Sequence, residues 1–365
     1  MDMKCELMLE EFREKQADLA IIRDIAVHEI ERIVRERNML VNAVDSRVKS
    51  EKSLAGKLEL KGYKYKKLAD ITDLVGVRVV TFYEDEIDLV AEDVAAIFDV
   101  DWENSVDKRK LLDTDRFGYL SLHYICRIPE NLYADPEHPA VNELRFEIQM
   151  RTTLQHVWAT VFHDTGYKSD IEVPATYIRK LNRLAGLLEV ADSEFHDLRD
   201  EIEAYRERMR ALIVERRFDD VKLDGDSWTM YLGTSPFSEL TERIAETSGV
   251  EIVGSQMRNF LQLLKNMGFT TIGQIERAKT ELADDVVEYT QATIEANELD
   301  IMAESAVLRH LLIVYVYRQG WGIEGLMRYY LEVSGNGDIE RARRHAQRTF
   351  KQLEALFGSD AAAAE

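Results

Sequence analysis

The sequence predicts an α+β protein, in which a mixed β-sheet domain flanked by helices precedes an all-helical C-terminal domain. Strict alternation marks residues 144–151, where Leu144, Phe146, Ile148 and Met150 interleave with Arg145, Glu147, Gln149 and Arg151. A period of two sorts these side chains by face, one dry and one polar. A β-branched run over residues 71–80 reads as a buried central strand interrupted by Gly76 and Arg78. Beyond Phe218 only helical periodicity remains. A length of 365 residues suits two domains, and the Asp- and Gly-rich stretch 218–233 marks the boundary, giving domains 1–217 and 218–365.

The elements follow in chain order. Residues 3–40 are charged and amphipathic without Pro or Gly, and predict one long helix or two short ones. Asp85 is placed to cap a helix reaching Ala96, whose Ile87, Val90, Ala91, Val94 and Ile97 recur at helical spacing and should back the sheet. Residues 99–112 should hold an edge strand. Over residues 117–125, Tyr119, Ser121 and His123 share one face, while Leu120, Leu122 and Tyr124 share the other. Pro129 to Pro139 reads as a mobile connection. Thr152 and Gln155 form a capping-box pattern that opens a helix carrying Trp158 and His163. Pro174 suits the first turn of the next helix, which continues to Arg217 with Ile178, Leu181, Leu184, Leu187 and Leu188 as its apolar face. In the second domain a short helix starts at Ser235-Pro236, and another over 257–267 is closed by Gly268. Helices over 271–291, 305–318 and 338–357 complete it, with 311–317 buried inside and 361–365 disordered.

Composition narrows the function. No run of about 18 apolar residues occurs and the N-terminus is charged from its second residue, so the expectation is a cytosolic protein with neither membrane span nor secretory signal. Cys5 and Cys126 lack metal-ligand spacing, and Cys126 falls on the dry side of its strand as a small buried apolar group. With 47 Lys and Arg against 68 Asp and Glu, the formal net charge is −21, which disfavours a general nucleic-acid binder. Three strands that each pair a dry face with a polar one suggest a ligand cleft on one side of a sheet, although a solvated sheet face produces the same alternation.

Four segments together narrow the choice. They are Asp73-Gly76-Arg78; Gly118-Tyr119-Ser121-His123; Glu147-Ile148-Gln149-Arg151-Thr152 followed by Trp158-Ala159, His163 and Tyr167-Lys168; and the basic segment 46–57 with Arg47, Lys49, Ser53 and Lys57. In this order and spacing they resemble the synthetase domain of the RelA/SpoT-homology family, the alarmone-forming nucleotide pyrophosphokinases. The resemblance covers residues 40–170 and leaves the last third unexplained. It implies a nucleotidyltransferase-like mixed sheet and a magnesium-dependent transfer of the β,γ-pyrophosphate of ATP to the 3′-hydroxyl of GDP or GTP. It also implies that Asp73 and Glu147 are the catalytic, magnesium-coordinating pair, with deprotonation of the hydroxyl open as a second role for Glu147.

The resemblance further implies that Arg47, Lys49, Ser53, Lys57 and Arg78 bind ATP. Arg47 would lie on the adenine, because guanidinium planes stack well on π faces. Lys49, Ser53 and Lys57 would share one side of a helix facing phosphates. Residues 47–67 carry Arg47, Lys49, Lys52, Lys57, Lys61, Lys64, Lys66 and Lys67 against only Glu51 and Glu59, the expected footprint of a triphosphate site in an acidic protein. Tyr119, stacked on the base, with His123, Gln149 and Arg151, would bind the acceptor. Trp158 and Tyr167 read as packing residues, and His196-Asp197 as a surface feature of a charged helix.

The chain departs from the family at the acceptor loop. Thr114-Asp115-Arg116-Phe117-Gly118-Tyr119 stands where better-known members carry P-K-x-N-G-Y, so Asp replaces Lys and Phe replaces Asn. Lys108, Arg109, Lys110 or Arg116 are candidates to compensate. The F-G-Y variant resembles small single-function synthetases, a group that includes toxins acting on the 3′ end of tRNA. Transfer to tRNA, disfavoured by the charge, and adenosine-based alarmones are therefore the alternatives, and a catalytically dead scaffold is a third class. The family's hydrolase domain is not expected in this chain. No motif residue lies beyond Lys168, so residues 218–365 read as an accessory module that regulates the enzyme, binds a partner or mediates self-association.

Overall fold

The computed structural model describes residues 3–110, 121–164, 175–334 and 337–361. They form two compact units, Met1–Asp200 and Glu201–Glu365. The first begins with helices α1 (Met3–Glu14) and α2 (Gln16–Glu36), strand β1 (Val41–Val48) and helix α3 (Glu51–Lys61). Strand β2 (Val75–Thr81), helix α4 (Glu84–Ile97) and the short strands β3 (Asp99–Val100) and β4 (Val106–Asp107) follow. Strand β5 (Leu122–Arg127), helix α5 (Ala140–Glu143), strand β6 (Phe146–Thr152), helix α6 (Thr153–Asp164) and the long helix α7 (Ala175–Val214) complete the series.

The strands make one mixed sheet in the order β1-β2-β6-β5-β3, with β4 also on β5. Only β2 and β6 run parallel, pairing Gly76 with Glu147 and Arg78 with Gln149. Parallel neighbours need a long crossover; here α4 lies within it. Val77, Val79, Phe146, Ile148, Met150, Leu122 and Cys126 pack on one face against Leu19, Ile22, Ala26 and Ile30 of α2 and Ile87, Val90 and Val94 of α4. Helix α4 backs the sheet as its spacing predicts. The opposite face carries the polar members of each alternation. Cys126 is fully buried, and burial pushes its thiol pKa up.

Two local expectations shift. Helix α4 starts one residue before Asp85, and Glu86 caps it by accepting from the Phe82 and Tyr83 N–H groups at 3.2 and 3.1 Å. Asp85 instead accepts from Arg199 Nη2 of α7 at 2.8 Å. The capping box predicted at Thr152 is present: Thr152 N–H donates to Gln155 Oε1 at 3.0 Å and Gln155 N–H to Thr152 Oγ1 at 3.1 Å. Trp158 is a packing residue, stacked on Phe162 with centroids 4.7 Å apart.

The second unit takes the end of α7 and adds α8 (Gly225–Leu232), α9 (Ser238–Ser248), β7 (Glu251–Val253), α10 (Leu261–Asn266), α11 (Ile272–Glu281) and α12 (Ala283–Asn297). Then come β8 (Ile301–Ala303), α13 (Ser305–Arg318), α14 (Gly322–Ser334) and α15 (Ile339–Ala361). It is helical as expected, apart from one parallel ladder between β7 and β8, three residues each, too short to show a period of two. The stretch 218–233 includes α8, whose Trp228 and Tyr231 are buried in this unit's core beside Met209 and Ile213 of α7. Asp and Gly there cap the helix, Asp224 accepting from Ser227 N–H at 2.9 Å. Gly268 closes the α10 turn at φ +90, where a side chain would be strained. Leu311, Leu312, Ile313, Val314 and Val316 are buried in α13, and among the described residues no helix is long and apolar enough to cross a membrane.

Trp228 is 1% exposed and its indole N–H donates to Met257 O at 3.2 Å. Trp228→Ala should therefore destabilise the second unit by about 3–5 kcal/mol. Denaturant unfolding checks this, and a loss under about 1 kcal/mol would contradict the packing described.

Candidate active site

The polar face of the sheet is built by register. Arg47 pairs with Gly76 and Asp45 with Arg78 across β1 and β2. Gly76 pairs with Glu147 and Arg78 with Gln149 across β2 and β6. His123 of β5 pairs with Gln149, and Val106 of β4 with His123. Directly paired residues share a face, so one surface carries Arg47, Arg78, Glu147, Gln149 and His123. Gly76 lies in its middle, and a Cβ there would meet nothing within 4 Å. The glycine leaves the floor open between Arg47 and Glu147.

Asp73 precedes β2 and stands at the edge of this floor. Lys49 is in the loop before α3, pinned by its N–H to Leu74 O at 2.8 Å. Its ammonium donates to Asp73 Oδ2 at 2.8 Å, while Lys57 from α3 donates to Asp73 Oδ1 at 2.7 Å. Burial alone would raise the Asp73 pKa, but these two ammonium groups outweigh it and hold the carboxyl below its ordinary value. Burial likewise opposes the Lys57 charge, and Asp73 more than restores it. The expectation of one helical side for Lys49, Ser53 and Lys57 does not hold. Helix α3 begins at Glu51, so Lys49 lies outside it; Ser53 faces the N-cap, accepting from Ser50 Oγ at 2.9 Å.

Glu147 is held from the other side. His123 Nδ1 meets Glu147 Oε1 at 2.7 Å and Gln149 Nε2 donates to Oε2 at 2.8 Å. Burial pushes its pKa up, yet His123 and Gln149 draw it below the ordinary value, and the Asp73 charge is felt against that trend. An ionised carboxylate only accepts, so Nδ1 carries the proton in this bond. His123 Nε2 meets Ser121 Oγ at 2.7 Å.

Arg151 is 4% exposed at the end of β6. Arg78 has a buried Nε with no hydrogen-bond partner and an Nη1 at 3.9 Å from Asp45. Arg47 is exposed. Tyr119, together with Phe117, Gly118, Arg116, Tyr167 and Lys168, lies outside the described residues. The structure thus brings together Asp73 with Lys49 and Lys57, and Glu147 with His123 and Gln149.

Three neighbours were not singled out as site residues. Asp45 shares a face with Arg47 two residues on, a pairing that alternation alone reveals. His156 of α6 has a buried Nδ1 without a partner; burial lowers its pKa first, then the charges of Arg151 and Arg78. Lys108, named only as a substitute for the missing loop lysine, is half-buried; burial lowers its pKa, and it feels the charges of Glu147 and Arg151. His196 stays with Asp85 and Asp200, at 3.3 and 3.6 Å.

Among the described residues no three His, Cys, Asp or Glu side chains converge as a closed metal cage. Two ionised carboxylates, Asp73 and Glu147, nevertheless suit magnesium, which takes one or two protein carboxylates and completes its shell with phosphate oxygens and water.

This is a mixed-sheet domain whose polar face gathers two carboxylates among several cationic side chains. Residues 46–172 match the family model described as "Region found in RelA / SpoT proteins". The chain is similar to the GTP pyrophosphokinase YjbM of Bacillus subtilis, at 27% identity over 45% of this chain and 74% of that protein. It is also similar to the GTP pyrophosphokinase YwaC of the same organism, at 29% identity over 43% and 73%. Among solved structures, the small alarmone synthetase 1 of Bacillus subtilis aligns at 21% identity and a TM-score of 0.45, over 53% of this chain and 99% of that one.

Carboxyl NMR should find Asp73 titrating below the ordinary aspartate range, and Lys57→Met should move that midpoint upward. A depressed native pKa means that ionised Asp73 stabilises the fold above the unfolded-state value, and that this contribution is lost as pH falls through the native value. Lys57→Met should accordingly weaken the acid dependence of stability. An unmoved midpoint would contradict the balance of burial and charge assigned here.

Proposed function

We propose that the protein is a pyrophosphokinase that transfers the β,γ-pyrophosphate of ATP to the 3′-hydroxyl of GDP or GTP, making (p)ppGpp. The observation that carries this reading is the pair of carboxylates, Glu147 between His123 and Gln149 on the open sheet face and Asp73 between two lysines at its edge. The similarity to two GTP pyrophosphokinases supports the same reaction. A cytosolic location, where ATP and GTP are abundant, fits this activity.

In the proposed complex Asp73 and Glu147 hold magnesium, which when bound neutralises phosphate charge. Arg47 stacks on the adenine of ATP, and Arg78, with its unpartnered buried Nε, binds a phosphate. Ser53 and the ammonium groups of Lys49 and Lys57 border the same chain of phosphates; the lysines turn from Asp73 toward it as substrate charge arrives. Tyr119, Gln149, Arg151 and His123 serve the acceptor. The 3′-oxygen attacks the β-phosphorus, the bond from that phosphorus to the α,β-bridging oxygen breaks, and AMP leaves with the electron pair. Glu147 accepts a hydrogen bond from the 3′-hydroxyl and aims it at the β-phosphorus, and the proton is lost from that oxygen as the new bond forms, to Glu147 or to solvent. Alignment and charge stabilisation then supply most of the acceleration. Residues 218–365, which carry none of the motif residues, are assigned a regulatory role.

Incubation with γ-labelled ATP and GDP or GTP should yield labelled guanosine 3′-diphosphate product and unlabelled AMP. Asp73→Asn and Glu147→Gln should each reduce transfer by roughly a hundredfold or more while preserving the fold. Label released only as free phosphate, or near-normal turnover in either variant, would overturn the assignment.

A further inference from the structure

Behind the active face, α7 reaches the strand that carries Glu147, Gln149 and Arg151 through one buried contact. Thr152 ends that strand, is fully buried, and its hydroxyl donates to Asp192 Oδ2 at 2.7 Å. The same hydroxyl accepts from Gln155 N–H at 3.1 Å, and Thr152 N–H donates to Gln155 Oε1 at 3.0 Å. Thr153 Oγ1 donates to Thr81 O at 3.0 Å, tying this junction to the end of β2. Asp192 is 4% exposed and among the described residues forms no ion pair. A hollow of about 20 Å3 beside it is lined by Glu84, Gln155, Trp158, Leu188 and Glu189. Of these, Glu84 from α4 and Glu189 from α7 are acidic, while Gln155, Trp158 and Leu188 are neutral.

An unpaired carboxylate in such a place opposes folding. Burial raises its pKa to about 6, Thr152 working against that rise and Glu84 adding to it. The strong hydrogen bond that Asp192 accepts from Thr152 accounts for an acid here, since an apolar side chain would leave the buried Thr152 hydroxyl without an acceptor.

We propose that Asp192 is a positioning residue for pyrophosphate transfer: through Thr152 it fixes the end of β6, and with it the placement of Arg151, Gln149 and Glu147. This rests on the function proposed above. A strand end free to shift would misalign attack without removing any group that touches substrate, and misplacement of this kind costs about 10- to 100-fold in rate.

The test is steady-state transfer from ATP to GDP by the full chain, with folding checked by circular dichroism and melting. Asp192→Ala and Thr152→Val should each lower kcat about 10- to 100-fold with both KM values within about twofold of wild type. The double variant should be no worse than either single one, because the two residues act as a unit. Thr152→Ser, which keeps the hydroxyl, and Asp192→Asn, which keeps an acceptor, should restore most of kcat, and they serve if the other variants melt too low to assay. Folded Asp192→Ala or Thr152→Val with wild-type kcat would overturn the proposal, as would a rise in KM at constant kcat, or Thr152→Ser as impaired as Thr152→Val. If wild-type protein itself transfers no label, the functional reading fails instead.

Discussion

The parallel pairing of β2 with β6 is the constraint on which the candidate site depends. It sets Gly76 beside Glu147 and Arg78 beside Gln149, joining segments some 70 residues apart in the chain. Because side chains alternate along a strand, a slip of one residue would turn Glu147 and Gln149 into the core and Phe146 and Ile148 into solvent. The packing of Phe146, Ile148 and Met150 under α2 and α4 therefore protects the chemistry on the other face. Any shift in register would have to expose that apolar layer.

Electrostatics then divides the labour on the polar face. A chain with formal charge −21 gathers its cations where a polyphosphate would need them. Asp73 is neutralised by Lys49 and Lys57, and Glu147 by a hydrogen-bonded histidine and amide. Both carboxylates remain charged despite burial, but for different reasons: full ammonium charges at one, oriented donors at the other. In the proposed reaction this difference would let Asp73 exchange its partners while Glu147 keeps its orientation.

The second unit has its own core, from Met209 and Ile213 of α7 through Trp228 and Tyr231 to the buried run of α13. Its organisation was less legible in the sequence than that of the sheet. Asp and Gly between residues 218 and 233 resemble a linker by composition, yet they serve to cap α8. The β7–β8 ladder is held by three paired residues on each strand. Short elements carry too few periods for a pattern to rise above composition.

The alternation of Glu147, Gln149 and Arg151, the position of Gly76, the capping box at Thr152 and the buried helix over 311–317 were all legible in the order of residues, because each depends on neighbours within a few positions. The sequence also brought the four motif segments into an order that resembles a known family. Folding in three dimensions was needed to show that Lys49 and Lys57 meet on Asp73, that His123 supports Glu147, that Asp85 serves α7 rather than the cap of α4, and that Asp192 lies buried against Thr152. Those pairings join residues 16 to 114 positions apart. A hydrogen bond at such separation leaves no local periodicity; it exists only once packing has fixed the strands and helices that carry its two ends.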